Sequence, residues 1–208
     1  LAETWECSTH PDGPSTVASG PFAGQPLPEV LRAHPEFLGS HIHSSDGQLP
    51  ILIKFIDARQ DLSVQVHPSD AYAREHENGQ LGKSEMWYVL DTVGDASLIY
   101  GFNRTIDRQT LRQSLLDGSV ERYLQKVRIQ KGDVFFIPAG MVHAIGAGVL
   151  VAEIQESSNL TYRLYDYDRV DKNGNRRELH IDKALEAANL KASAEPRQPL
   201  RVLKYRRG

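Results

Sequence analysis

Eight short segments rich in β-branched and aromatic residues follow one another along this chain, and they constrain its fold more than any other feature. Turn signals such as DG, NG, GD and KGD separate them. In order, the segments are PILIKFID, SVQVH, EMWYVLD, ASLIYGFN, KVRIQ, DVFFIPA, GVLVAEIQES and LTYRLYDYD. Many short strands separated by tight turns predict an all-β fold with minor helices, either a barrel or a sandwich.

Helical patterns are few and occupy three places. We expect helices at about residues 69–79, 106–118 and 180–190, with Ser69 and Thr105 as N-caps of the first two. The run GPSTVASGPFAGQPLPE is rich in Pro and Gly and predicts a loop. These helices elaborate one main domain, which we expect to cover residues 1–195.

Both ends of the chain suggest a longer parent protein. The sequence begins at Leu1 rather than at Met, without the pattern of a signal peptide. Residues 196–208 contain two prolines followed by the strand-like RVLKY, which predicts a linker and the start of a second β-domain that is missing from this chain. We therefore expect the 208-residue chain to be a fragment.

The composition argues against several classes of partner. Lys and Arg total 24 against 27 Asp and Glu, so the net charge is −3, without the long basic runs that bind nucleic acid or anionic membranes. No apolar run approaches the roughly 20 residues that span a bilayer. The single cysteine, Cys7, excludes an internal disulfide and fits a reducing cytoplasm. We expect a cytoplasmic protein that acts on a small molecule, in an oligomeric state that the sequence leaves open.

A polar strand face stands out in LSVQVHPSD. Ser63, Gln65 and His67 alternate with Val64 and Val66, and alternate residues of a strand share a face. A strand that served packing alone would carry apolar residues on both faces. The three polar side chains therefore predict a lined pocket.

A second motif lies in KGDVFFIPAGMVHAIGAG. Gly132, Pro138, Gly140 and His143 have the spacing G-x5-P-x-G-x2-H, which resembles the second motif of the cupin superfamily, with Ala147 where an asparagine often follows. In physical terms, Pro and Gly form a tight corner between strands, which aims the histidine inward. The resemblance implies a cupin double-stranded β-helix, also called a jelly-roll barrel.

Metal binding is the chemistry that this combination favours. His67, Glu85 and His143 would supply two imidazoles and one carboxylate, with the Gln65 side-chain oxygen as a fourth donor. Lys83 shares a predicted strand face with Glu85, so a solvent-facing Lys–Glu pair is the alternative for that segment. Two histidines and one carboxylate also suit a non-haem Fe(II) site.

Longer stretches extend the comparison from about Trp5 to Arg201. They include LSVQVHPSDAYAREHENGQLGKSEMWYVLD, LIYGFN, GDVFFIPAGMVHAIGAGVLVAEIQESSNLTYRLYDYDR and RELHID. Together they resemble the class I mannose-6-phosphate isomerases, or phosphomannose isomerases, in their short bacterial form. The resemblance implies an aldose–ketose isomerase that interconverts mannose 6-phosphate and fructose 6-phosphate with one Zn²⁺ per chain, although other divalent metals would serve.

The resemblance also implies roles for individual residues. The family's metal ligands fall on Gln65, His67, Glu85 and His143. Its active-site positions fall on Lys83, Glu153 and Arg163. The sugar phosphate is expected near Ser63, Lys54 and Arg163. The chain departs from the family in lacking an earlier Trp-Gly-Gly segment, and Ile145 stands where larger members carry a tyrosine.

The implied reaction removes the C2 proton of an open-chain aldose and returns it to C1 through an enediol. Glu153 and Lys83 are the candidates for carrying that proton, and Lys83 would need a strongly lowered pKa to do so. Arg163 is expected to contact the substrate, and an ion pair with Asp166 or Asp168 is the alternative.

Two other functions stay open. One is a non-catalytic cupin that binds metal and sugar, and the other is an Fe(II)-dependent cupin oxygenase. His41 and His43 have the H-x-H spacing of a metal pair, but they border a polar loop. We expect them, together with His10 and His76, to be ordinary turn or surface residues.

Overall fold

A computed structural model describes residues 2–39 and 46–194 of the chain. The strands are β1 (Ala2–Glu6), β2 (Ile51–Ala58), β3 (Val64–Val66), β4 (Glu85–Thr92), β5 (Ser97–Phe102), β6 (Leu124–Arg128), β7 (Val134–Ile137), β8 (His143–Ile145), β9 (Val149–Glu156) and β10 (Tyr162–Tyr165). The α-helices are α1 (Leu27–Ala33), α2 (Asp70–His76), α3 (Arg108–Leu116) and α4 (Ile181–Ala187). Short 3-10 helices lie at Pro35–Leu38 and Val120–Arg122.

The strands form two antiparallel sheets. The first has the order β1-β2-β9-β4-β7, and the second has the order β10-β3-β8-β5-β6. Adjacent strands come from distant parts of the chain, as in the β2–β9 pair, where Lys54 lies opposite Glu153. The ladders of the described strands do not close into a barrel, so the two sheets form an open sandwich. The prediction of an all-β fold with minor helices is confirmed.

The hydrophobic core has two parts, one on each side of the second sheet. The part between the sheets combines Trp87, Phe135 and Val151 of the first sheet with Leu98 and Ile145 of the second. The other part joins the outer face of the second sheet to the helices. It includes Val64, Val66, Phe102, Leu111, Leu164, Ala184 and Leu185. Helices therefore cover the second sheet from outside.

The two faces of β3 have different roles, one in the hydrophobic core and one at the polar site. Val64 and Val66 have no exposed surface and belong to the helix-side core. Gln65 and His67 instead contact side chains on β8 and β4, respectively. The polar face predicted for this strand therefore borders the space between the sheets.

Three of the α-helices, α2, α3 and α4, lie inside the ranges predicted for them. Of the two predicted N-caps, one is confirmed and one is wrong. The Ser69 hydroxyl accepts a hydrogen bond from the Tyr72 N–H at 3.3 Å, as the sequence predicts for α2. At α3 the cap is Asp107, whose carboxylate accepts from the Thr110 N–H at 2.7 Å. The prediction of Thr105 as a cap is wrong, because its hydroxyl accepts from the Ala192 N–H at 3.0 Å instead.

Besides the two 3-10 helices, two strands and one α-helix have no counterpart among the sequence predictions. β1 has the largely polar sequence AETWE and an edge position in its sheet. β8 is only three residues long, which is too short for a pattern to be visible. α1 begins within the run predicted as a loop, where Pro28 occupies the first turn, a position that proline tolerates.

Some predictions fall outside the described residues. They concern His41 and His43, the linker after residue 195 and the strand-like RVLKY. Within the part of the chain that is described, no helix has the length and apolar character that crossing a bilayer would need.

Candidate metal centre and active site

Strand pairing aligns site residues in one row on each sheet. On the first sheet, Lys54 is opposite Glu153, which is opposite Trp87. On the second sheet, Arg163 is opposite Gln65, which is opposite His143. Residues that are far apart in the sequence are thereby brought to the same level of the sandwich.

A buried group able to hold a metal ion includes His143 from the second of these rows. One donor atom from each of His67, Glu85 and His143 lies within 4.8 Å of the others, and each residue is at most 2% exposed. His67 Nε2 is 3.1 Å from Glu85 Oε1, and His143 Nε2 is 3.7 Å from Glu85 Oε2. Among residues 2–39 and 46–194, this is the one cluster of three such side chains.

Backbone carbonyls fix the tautomer of each histidine. The carbonyl oxygen of Leu160 lies 2.7 Å from His67 Nδ1, and that of Met141 lies 2.8 Å from His143 Nδ1. A carbonyl oxygen can only accept, so Nδ1 carries the proton in both rings and Nε2 carries the lone pair. Burial and the charge of Lys83 lower the pKa of His67 to about 3, which keeps its imidazole neutral.

The donor set fits a divalent metal. His67 Nε2 is fully buried and makes no hydrogen bond, which is costly for a polar atom that lacks a partner. Two imidazole lone pairs and one carboxylate are ligands that Zn²⁺ and Fe²⁺ share. The Gln65 amide adjoins them, since its Nε2 lies 3.3 Å from His143 Nε2. That Gln65 is a fourth metal ligand stays a prediction.

Lys83 and Glu85 form a buried ion pair. Lys83 Nζ lies 2.7 Å from Glu85 Oε1, and the two residues are 4% and 2% exposed. The alternative of a solvent-facing Lys–Glu pair is therefore wrong. Burial disfavours a charged lysine, but the neighbouring carboxylates of Glu85 and Glu153 outweigh it and raise the pKa of Lys83.

Glu153 lies beside this pair and is held by Trp87. The Trp87 indole N–H lies 2.8 Å from Glu153 Oε2 and 3.1 Å from Glu85 Oε2. Burial, followed by the nearby charge of Glu85, raises the pKa of Glu153 to about 7. A carboxyl group with such a pKa exchanges protons near neutral pH. Trp87 was not among the predicted site residues, although its place on the face of Glu85 is visible from strand alternation.

Arg163 makes contacts other than the predicted alternative. Its Nε donates to Ser63 Oγ at 3.2 Å, and its Nη1 donates to the Glu178 carbonyl oxygen at 2.9 Å. Asp166 and Asp168 pair instead with other arginines of the same region. The ion pair of Arg163 with either aspartate is therefore wrong. Burial and the neighbouring Arg177 lower the pKa of Arg163.

Lys54 approaches the site from β2. Its Nζ lies 3.3 Å from Glu3 Oε1 and 4.7 Å from the centre of the Trp5 ring. Both partners belong to β1, a strand that was not predicted, so this strand holds the lysine in place.

A cavity of about 340 Å³ opens beside the metal group. Its lining includes most of the predicted site residues, together with side chains from β1, β2 and the segment after β9. They are Glu3, Lys54, Ile56, Leu62, Ser63, Gln65, Lys83, Trp87, Ile145, Glu153, Asn159, Thr161, Arg163 and Arg177. Arg177 was not among the predicted site residues, although it is the first residue of the RELHID stretch quoted for the resemblance.

Comparison with known proteins gives consistent matches. The catalytic domain of phosphomannose isomerase type I matches residues 1–89. The probable mannose-6-phosphate isomerase GmuF of Bacillus subtilis is 45% identical over 189 residues, which are 90% of this chain and 58% of the relative. The mannose-6-phosphate isomerase of Streptococcus mutans is 43% identical over 188 residues, with 90% and 58% covered.

The crystal structure of the mannose 6-phosphate isomerase from Bacillus subtilis superposes with a TM-score of 0.83 at 43% identity. The match covers 90% of this chain and 59% of that one. The chain therefore spans less than two thirds of the length of these three proteins. The predicted cupin fold and the predicted resemblance are confirmed, and the chain is related in sequence and in fold to the type I phosphomannose isomerases.

Proposed function

We propose that the protein is a metal-dependent aldose–ketose isomerase that interconverts mannose 6-phosphate and fructose 6-phosphate in the cytoplasm. The observation that carries the proposal is the buried His67–Glu85–His143 group beside a 340 Å³ cavity. Relatives at 43–45% identity are named mannose-6-phosphate isomerases, which supports the choice of substrate.

Zinc is the metal that we propose for this site. His67 and His143 would bind it through Nε2 and Glu85 through a carboxylate oxygen, with the side-chain oxygen of Gln65 as the fourth ligand. A zinc ion has no redox chemistry, and when bound it would stabilise the negative charge that develops on the C1 and C2 oxygens. The carbonyls of Leu160 and Met141 would keep both imidazoles oriented for this role.

Glu153 is our candidate for the group that carries the proton. It lines the cavity, and the Trp87 indole holds one carboxylate oxygen at 2.8 Å. Its carboxylate would take the proton from C2 and return it to C1 on the same face of the sugar. Lys83 is committed to its ion pair with Glu85 at 2.7 Å, so we assign it the role of an electrostatic stabiliser.

Ser63, Lys54 and Arg163 are proposed to hold the substrate. Arg163 offers a planar guanidinium that suits a phosphate or vicinal hydroxyl groups, and Ser63 keeps it in place. Lys54 borders the same cavity from the opposite sheet and adds positive charge.

The two alternatives predict different results. An Fe(II) oxygenase would consume oxygen and lose activity when zinc replaces iron, whereas the isomerase would work without oxygen. A non-catalytic sugar-binding cupin would bind metal and sugar without turnover. The buried Lys83–Glu85 pair and Glu153 beside the cavity favour an enzyme, because burying these charged groups is costly for a simple binding site.

The test is a coupled assay for fructose 6-phosphate formation from mannose 6-phosphate, using the 208-residue chain. Turnover should require added zinc, disappear with a chelator and return when zinc is restored. Oxygen uptake measured in parallel should be zero. Stoichiometric zinc without turnover would count against catalysis by this chain and in favour of the binding alternative.

A further inference from the structure

Arg177 has no role in the function proposed above, although it lines the same cavity as Ser63 and Glu153. It directly precedes Glu178, whose carbonyl oxygen accepts a hydrogen bond from Arg163 Nη1 at 2.9 Å. The next element is tied to Arg163 as well, because the His180 N–H donates to the Arg163 carbonyl oxygen at 2.8 Å. Two guanidinium groups are therefore anchored side by side at one cavity.

Asp166 orients the guanidinium of Arg177. Arg177 Nε donates to Asp166 Oδ2 at 2.8 Å, and Arg177 Nη2 donates to Asp166 Oδ1 at 2.5 Å. Such a two-point contact fixes the plane of a guanidinium group. Asp166 is only 6% exposed, and the same carboxylate also pairs with Arg169. One buried carboxylate thus serves two arginines, which leaves an excess of positive charge.

The other cations of the cavity are already compensated. Lys83 pairs with Glu85 at 2.7 Å, and Lys54 pairs with Glu3 at 3.3 Å. Arg163 differs: across residues 2–39 and 46–194, no carboxylate lies within ion-pair distance of its guanidinium. Neighbouring guanidinium groups repel each other, and an anion placed between them would remove this cost. The arginine side of the cavity therefore has the charge that a dianionic group requires.

We propose that Arg177, positioned by Asp166, binds the phosphate of the substrate together with Arg163 and selects phosphorylated over unphosphorylated sugars. The inference rests on the proposed function for its substrate and adds a specificity residue and a positioning residue to it. Arg177 is neither one of the proposed metal ligands nor the proposed proton carrier, so phosphate binding is expected to be separable from turnover.

Binding of ligands gives the decisive test, because it does not require turnover. The zinc-loaded chain is titrated with mannose 6-phosphate, inorganic phosphate and mannose, and heat or tryptophan fluorescence is followed. Arg177→Gln should raise the Kd for both phosphate ligands by about tenfold or more, since a charge-assisted two-point contact is lost. The Kd for mannose should change less than twofold. In the assay, KM for mannose 6-phosphate should rise, with kcat nearly unchanged.

Two further variants and one control complete the test. Arg177→Lys keeps the charge but loses the fork, so its effect should be intermediate. Asp166→Asn should weaken phosphate binding in the same direction. Arg176→Gln is the matched control, because Arg176 is the preceding residue, pairs with Asp168 in an exposed position and does not line this cavity.

Three results would overturn the inference: phosphate binding by Arg177→Gln equal to that of the wild type, equal weakening for mannose and mannose 6-phosphate, or no phosphate binding by the wild type. Failure of the proposed function looks different. A wild-type chain that binds mannose 6-phosphate without turnover would contradict the isomerase, whereas the Arg177→Gln comparison would still decide phosphate selection.

Discussion

Lys83 Nζ lies 2.7 Å from Glu85 Oε1, and this contact is buried between the two sheets. A buried carboxylate needs a compensating positive charge, and in the metal-free protein Lys83 supplies it. A metal ion held by His67 and His143 would bring a second positive charge to the same carboxylate. The stability of the metal-free protein should therefore depend more on Lys83 than that of the metal-bound protein.

Lys83→Met tests this dependence. The substitution leaves Glu85 uncompensated, so the free energy of unfolding should fall by about 3 to 5 kcal/mol in chelator. With saturating zinc the loss should be clearly smaller. Urea unfolding under both conditions measures the difference. The control is Arg128→Met, because Arg128 and Asp95 are 78% and 87% exposed, and such exposed pairs contribute only about 0 to 1 kcal/mol. An equal loss with and without zinc would contradict the shared role of Glu85.

His143→Ala should remove one metal ligand. We expect zinc affinity to fall by about 100-fold or more, because the remaining donors cannot complete the site. Competition with a chromophoric chelator measures the affinity. His76→Ala is the matched control, since the His76 side chain is 44% exposed at the end of α2. Stoichiometric, tightly held zinc in His143→Ala would refute its assignment as a ligand.

Arg163→Lys should keep the positive charge while losing the fork geometry that contacts Ser63 and the Glu178 carbonyl. We expect kcat/KM for mannose 6-phosphate to fall by about 10- to 100-fold, with unchanged zinc content. Arg176→Lys, at an exposed ion pair, should behave like the wild type. If Arg163→Lys were fully active, Arg163 would have a structural role at the rim rather than a role in substrate binding.

Glu153→Gln should change how stability depends on pH in the metal-free protein. Burial and Glu85 raise the pKa of Glu153 from 4.5 to about 7 in the folded state. The stability that this group contributes is therefore fully present below about pH 4.5 and is lost as the pH rises through 7. Glutamine does not titrate, so the variant should gain about 1 to 3 kcal/mol relative to the wild type over that interval. Urea unfolding in chelator between pH 5 and 8 measures this, and parallel pH profiles would contradict it.

Local patterns were sufficient to predict eight of the ten strands and the polar face of β3. Alternation in LSVQVHPSD separates the valines, which pack under the helices, from Gln65 and His67, which reach the metal group. The G-x5-P-x-G-x2-H spacing likewise placed His143. Gly140 has a φ of +85°, which favours glycine, and its N–H donates to the His67 carbonyl oxygen at 2.8 Å. The corner therefore links the two histidines.

Contacts that depend on the tertiary arrangement could not be predicted. The carbonyls of Leu160 and Met141 are backbone groups, which no side-chain pattern marks. Lys54 is held by β1, a short edge strand with a polar sequence. Arg177 reaches the cavity from an irregular segment, and its orientation depends on Asp166, which is eleven positions earlier in the chain. Strand periodicity carries no information about such a pairing.

The three buried donors do not come from one sheet. His67 and His143 belong to the second sheet or its immediate end, whereas Glu85 begins β4 of the first. A bound ion would therefore cross-link the two sheets. The affinity for that ion would vary with the distance between the sheets. Substitutions in the core between the sheets, even at residues that do not contact a ligand, should then alter the rate of zinc dissociation. That rate would therefore report how often the two sheets separate.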